Sequence, residues 1–269
     1  MSSRSRKLTA AVAALVVLVA AVVAAVVELE RPGPAARAEC RVALGRSTYV
    51  LDLDQATNAT TIAAVGKRLG LPDHAVTVAV AAALQESGLH NLDHGDRDSL
   101  GLFQQRPSQG WGTPAQVMTP SYAARLFFEH LAQVPGWEGL AVTDAAQRVQ
   151  RSGAPQAYAQ WEGEARAIAR ATTGEIPAGL ACRSDTPRVG TSVDAVNAVL
   201  TSELGAPALG TALADARGWT VASWLVGHAT RFGIVSVSFQ GRTWTPSVGA
   251  WRDGTPATAD VRVQLARAG

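Results

Sequence analysis

The stretch from Ala75 to Leu84 is apolar almost without a break, interrupted only by Thr77. A run of this length exceeds a typical strand of about 4–8 residues, and its alanines favour helix. A helix that is apolar on every side has to be surrounded by other elements. The pattern therefore predicts a buried central helix from about Asp73, set off by Leu71-Pro72-Asp73 and ended by Gly88. Further helices are expected around it. Asp54 to Leu69 carries Ala59, Ile62, Val65 and Leu69 near helical spacing, and Ser121–Ala132, Val142–Arg151 and Pro155–Thr172 also look helical. Asn91 to Gly112 is polar and rich in Gly, Asp and Ser, which suits a loop or a small hairpin.

The N-terminal segment poses a separate question. Leu8 to Val27 contains no charged residue. As a helix it would extend about 30 Å, the hydrocarbon thickness of a bilayer. Arg4, Arg6 and Lys7 precede it and would stay cytoplasmic by the positive-inside rule. Ala36-Arg37-Ala38 resembles a cleavage site but lies well beyond the apolar run, and no lipobox precedes Cys40. The expectation is a signal anchor, a transmembrane helix over about 8–27 with its linker within 1–39. It would make a single-pass protein of the cell membrane with an extracytoplasmic globular part. The alternative is secretion after cleavage near Ala38.

The chain has two cysteines, Cys40 and Cys182, too far apart for a CxxC redox or zinc motif. In an exported protein the default is one disulfide. It would close a loop on the order of 140 residues, worth roughly 5 kcal/mol in the chain-entropy model. Net charge is +2, and three positive charges sit in the N-terminal flank, so the rest is close to neutral. There is no basic patch with interleaved aromatics, which argues against nucleic acid as a partner.

The globular part is expected to divide into a mainly α domain over 40–182, a linker over 183–192 and a small α+β module over 193–269. The module's signals are probable helices at Asp194–Leu204 and Trp219–Arg231. They are followed by period-two alternation at Val235, Val237, Phe239 and later at Val261, Val263, Leu265.

Glu86 lies one turn from the end of the central helix, just before the polar loop. A carboxyl group held partly out of water can keep its proton near neutral pH and deliver it to a glycosidic oxygen. Taken alone, a glutamate at a helix end is most often merely exposed. The surrounding residues add to this. Glu86-Ser87-Gly88-Leu89 followed by Gly101-Leu102-Phe103-Gln104 resembles, in both motifs and in the Glu-to-Gln spacing, the signature of the soluble lytic transglycosylase family within the lysozyme-like superfamily. The resemblance covers about Thr61 to Arg170. The fold class it implies, with the flanking segments, is a mainly α lysozyme-like domain preceded by one transmembrane helix and followed by a small α+β domain.

The implied activity is cleavage of peptidoglycan at the β-1,4 bond between N-acetylmuramic acid and N-acetylglucosamine. Glu86 would serve as the single acid and base, the partners would be glycan strands, and no cofactor or metal would be needed. Ser87, Gly101, Gln104, Trp111 and Gln150 are the expected substrate-binding residues, with Trp111 as a sugar-stacking platform. Two features depart from the family pattern. Gly95 stands where a Ser is common, and the later Tyr-Asn-Ala-Gly motif is reduced to Val149-Gln150-Arg151-Ser152-Gly153, with Gln150 in place of the Asn and no Tyr.

Asp93, Asp96 and Asp98 are candidates for a second carboxylate, which would make the enzyme a hydrolytic lysozyme. The bland reading is a solvated turn. His90 and His94 fall in the loop without an HExxH pattern, so a surface or hydrogen-bonding role is expected of them. A non-catalytic wall-binding protein that keeps the fold is the competing function.

Overall fold

A computed structural model describes residues 37–267 except 155, 188, 206–208 and 255. The described residues from Ala38 onward form one compact unit. It opens with a hairpin of β1 (Glu39–Leu44) and β2 (Ser47–Leu51). Helices α1 (Leu53–Arg68) and α2 (Asp73–Ser87) follow, then short α3 (Pro114–Val117), α4 (Pro120–Ala132), α5 (Val142–Gln150) and α6 (Glu162–Thr172). Strand β3 (Leu180–Arg183) returns to pair with β1, giving an antiparallel sheet in the order β2-β1-β3.

The remainder comprises α7 (Val193–Leu204), α8 (Asp215–Gly227), α9 (Ala229–Phe232), β4 (Ile234–Phe239), β5 (Arg242–Thr245), β6 (Ala250–Asp253) and β7 (Arg262–Leu265). Its antiparallel sheet runs β6-β5-β4-β7. The alternating apolar residues fall in these strands, except Val261, which pairs with Leu209 in an isolated bridge just before β7. A register shift between Ile234 and Ser236 puts Ile234 inside along with Val237 and Phe239, while Val235 is only partly covered.

Helix α2 is buried from Ala75 through Leu84 and packs against α6, α5, α1 and α4. Its alanines and valines let these neighbours approach closely. It ends in a Schellman-type turn. Gly88 adopts the left-handed conformation (φ 63°), its N–H bonds the Leu84 carbonyl, and the Leu89 N–H reaches back to the Ala83 carbonyl. Leu89 is left-handed too (φ 62°) and fully buried. The cost of that conformation for a branched residue is offset by burial and by two clamps from α1. Gln55 donates to the Gly88 carbonyl at 2.9 Å and Asn58 to the Leu89 carbonyl at 2.8 Å.

The expected fold class needs correction on two counts. First, the described residues contain seven strands in two antiparallel sheets, and one sheet lies within the part expected to be mainly α. Its strands are only four to six residues long. β1 alternates buried Cys40 and Val42 with exposed Arg41 and Ala43, a signal too brief to separate from irregular chain. Second, no helix among the described residues is long and apolar enough to cross a membrane. The expected anchor at about 8–27 lies outside the described residues. The single-pass membrane assignment does not stand against this finding.

Cys40 and Cys182 are direct partners in the β1–β3 register and form a disulfide. The parts on either side of 183–192 share one continuous core. Helix α8 packs on α1, where a Cβ added to Gly227 would lie 2.7 Å from the Thr60 hydroxyl. Thr57 donates to the Gly227 carbonyl at 2.7 Å, and Ser223 to the Ala171 carbonyl at 2.9 Å.

Candidate active site

Glu86 is partly exposed on the last turn of α2 and lines a small groove of about 120 Å³ together with Gln104, Gln109, Trp111, Gln150 and Ser152. The Tyr158 hydroxyl donates to Glu86 Oε1 at 2.6 Å. No hydrogen bond reaches Oε2 from the described residues. Tyr158 is fully buried, with Ser152 beside its hydroxyl. Burial, reinforced by the Glu86 carboxyl, pushes the phenol well above its ordinary range, so it stays a proton donor at any working pH.

Tyr158 is the residue that sequence reasoning missed. A continuous helix was expected over Pro155–Thr172, but helix α6 starts only at Glu162, after a 3₁₀ turn over Ala159–Trp161. Tyr158 sits in the turn that precedes it, aimed back at α2. The chain has three tyrosines, so the absence of a Tyr from the Val149–Gly153 segment left few candidates elsewhere. Gln85 is fixed next door, accepting the Trp161 indole N–H at 2.8 Å and a Gln160 amide N–H at 3.1 Å.

The structure brings Glu86, Gln104, Trp111 and Gln150 around one groove. Ser87 ties the helix to the next loop, with its hydroxyl 2.7 Å from the Leu102 carbonyl and 3.0 Å from the Ala83 carbonyl. Gly101 pairs with Leu92 in a narrow bridge (φ 77°), and a Cβ there would lie 2.7 Å from the Val117 carbonyl, closer than van der Waals contact permits. Gln150 donates to the Phe103 carbonyl at 2.9 Å, so it holds the wall of the groove as well as lining it. Trp111 stacks on His130, with ring centroids 4.3 Å apart, which covers one of its faces.

Gly95 also finds an explanation. A Cβ at that position would fall 1.9 Å from Gln104 Oε1. Gln104 has turned its amide toward this loop, donating to the His94 carbonyl at 3.2 Å and to the Gly101 carbonyl at 3.3 Å. The glycine makes room for that placement.

The three aspartates are not among the groove-lining residues. Asp93 and Asp96 are exposed, paired with His94 and Arg97 respectively. Asp98 accepts the Ser108 backbone N–H and the Arg106 Nε–H, both at 2.8 Å. These bonds, that of Ser108 foremost, hold its carboxyl far below the usual carboxylate range. Asp98 thus braces the loop against residues 106–108. His90 pairs with Asp52, the N-cap of α1, at 2.8 Å. The described residues hold no group of three or more side chains suited to a metal ion.

Comparison with protein-family models and with curated proteins gives no match to this chain.

Proposed function

We propose that this protein cleaves peptidoglycan glycan strands as a lytic transglycosylase, with Glu86 as its single acid and base. The observation that carries the reading is the Glu86–Tyr158 pair at 2.6 Å on the wall of an open groove. With Oε1 occupied by the phenol, a proton on the carboxyl group resides on Oε2, the oxygen left free for substrate. Tyr158 acts as a positioning residue that orients the acid without competing for its proton.

In the proposed reaction Glu86 donates that proton to the oxygen between N-acetylmuramic acid and N-acetylglucosamine as the C1–O bond breaks. The sugar's acetamido group supports the positive charge that develops at C1. The Glu86 carboxylate then takes the proton from the muramyl C6 hydroxyl while its oxygen bonds C1. A 1,6-anhydro end results and no water is consumed. One carboxyl group suffices, in keeping with substrate-assisted exceptions to the two-carboxylate scheme. The engagement of Asp98 with Arg106 and Ser108 supports this one-carboxyl reading over a hydrolytic one. The disulfide fits an oxidising, extracytoplasmic setting, where cell-wall glycan lies.

The test is digestion of purified peptidoglycan by the wild type and by Glu86→Gln, with mass spectrometry of the fragments. Ends lighter by one water are expected from the wild type, and none from the variant. Absence of cleavage by the wild type would overturn the enzymatic reading and leave a wall-binding protein in its place. Reducing ends would overturn the transglycosylase reading alone.

A further inference from the structure

Next to the Glu86 groove lies a larger cavity of about 590 Å³. The two share Gln109, Trp111 and Gln150 in their linings, so they adjoin as neighbouring stretches of one surface. The walls of the second stretch differ in character. Its prominent residues are Arg148, in the last turn of α5, and Arg151, the left-handed residue that caps the helix (φ 52°). Both are exposed, and neither side chain forms an ion pair or a hydrogen bond with a described residue, the Arg151 backbone N–H going to the Gln147 carbonyl. The Trp111–His130 stack contributes aromatic surface to the same cavity.

Charge accounting favours an anion. Two arginines line the cavity, against roughly half a negative charge from the carbonyl end of α5. Glu129, next to His130 in the chain, is taken up by Arg125 at 2.5 Å. His130 adds no third charge, because burial and then Arg151 hold it below the ordinary histidine range. It remains a neutral ring able to donate or accept a hydrogen bond. Arginine pairs with carboxylates through two parallel N–H bonds, so two unpaired arginines beside an aromatic floor suit a carboxylate carried on a sugar.

Resting on the glycan-cleaving reading above, we infer that Arg148 and Arg151 bind a carboxylate borne by the glycan strand, so that the protein selects acid-bearing strands over neutral ones. In peptidoglycan two groups supply that chemistry. One is the stem peptide attached to the muramyl lactyl group; the other is the lactyl carboxylate exposed once the stem has been removed. A neutral N-acetylglucosamine oligomer offers neither.

Calorimetric titration of full-length Glu86→Gln, which blocks turnover, tests the inference with three ligands of equal sugar length. These are a glycan with peptide stems, the same glycan after amidase treatment, and a chito-oligosaccharide. At least one acid-bearing glycan is expected to bind about tenfold more tightly than the chito-oligosaccharide, a difference of about 1.4 kcal/mol. The gap should shrink as salt is raised. Adding Arg148→Gln and Arg151→Gln should remove most of it. Whichever acid-bearing ligand binds better identifies the source of the carboxylate. Equal affinity for all three ligands overturns the inference and leaves the glycan-cleaving reading intact, as does a preference that survives both arginine substitutions. No binding of any ligand, with no cleavage by the wild type, removes both. Both arginines are exposed, so a matching thermal melt of the triple variant verifies that its fold is kept.

Discussion

The Tyr158 hydroxyl and Glu86 Oε1 meet at 2.6 Å although 72 residues separate them in the chain. One partner comes from the last turn of the central helix and the other from a turn before α6, so the packing of these two helices fixes the orientation of the carboxyl group. Tyr158→Phe should lower kcat by about 10- to 100-fold, as misplacement of a reacting group does, with little change in KM. The loss in stability should be only about 1 kcal/mol, the worth of one hydrogen bond. A fall in KM-controlled binding with kcat intact would contradict the positioning role.

Asp98 distinguishes a bracing carboxylate from a catalytic one. Asp98→Asn keeps an acceptor for the Ser108 N–H and should retain most turnover. Asp98→Ala loses both the Ser108 and Arg106 bonds and should raise KM by loosening the segment that leads to Gln109 and Trp111. Steady-state kinetics on soluble glycan fragments gives the comparison. If Asp98→Asn were as inactive as Glu86→Gln, Asp98 would be the second carboxylate after all.

A buried polar cluster between α1, α7 and α8 should shape stability against pH. His228 is fully buried, stacked on Trp224, and driven by burial down to about 3. The unfolded chain binds that proton near 6.5, so stability should fall as pH drops from about 6.5 toward 3. Glu203 has the opposite slope. Burial raises its carboxyl even though the Trp224 indole (2.7 Å) and Thr61 (3.0 Å) both donate to Oε2. Its contribution is fully present below the unfolded value of about 4.5 and is lost as pH rises through the folded one. The two slopes oppose each other just above about 4.5, where the unfolded glutamate titrates, and below that point His228 acts alone. Thermal melts from pH 3 to 8 should therefore show an acid limb that flattens in His228→Gln. Glu203→Gln should gain in Tm at pH 8 relative to pH 4. Parallel profiles for wild type and both variants would refute this assignment.

The disulfide closes a long loop, with a sequence separation of 142. Replacing both cysteines by serine should cost on the order of 2–5 kcal/mol. Chemical denaturation midpoints measured for the wild type, with and without reductant, and for the double variant check this. Added reductant should move the wild-type midpoint toward that of the variant and leave the variant unmoved.

Much of this architecture can be read from periodicity. The apolar run Ala75–Leu84 identifies the central helix, Gly88 marks its end, and the alternation around Val237 and Val263 falls in strands. The motifs that bracket the polar loop bring Glu86 and Gln104 to one groove. Other features depend on contacts that a linear reading does not encode. Tyr158 reaches Glu86 only because its turn is not helical. Gln55 and Asn58 look like surface polar residues of α1, yet they satisfy the carbonyls of the left-handed turn after Glu86. Gly95 stands out in a polar loop only once the amide of Gln104 is seen lying against it.

The indole N–H of Trp244 donates to the Cys182 carbonyl and that of Trp251 to the Leu180 carbonyl, so the second sheet grips the outermost strand of the first. That grip, together with the helix contacts at Gly227 and Ala171, bears on inheritance. A recombination joint placed between residues 182 and 193 would cut through a shared interior. It would strip indole donors from one fragment and bare apolar helix faces on both. The two halves are consequently expected to travel through evolution as a single heritable piece, and a graft of the groove-bearing half onto another protein would have to bring its partner along.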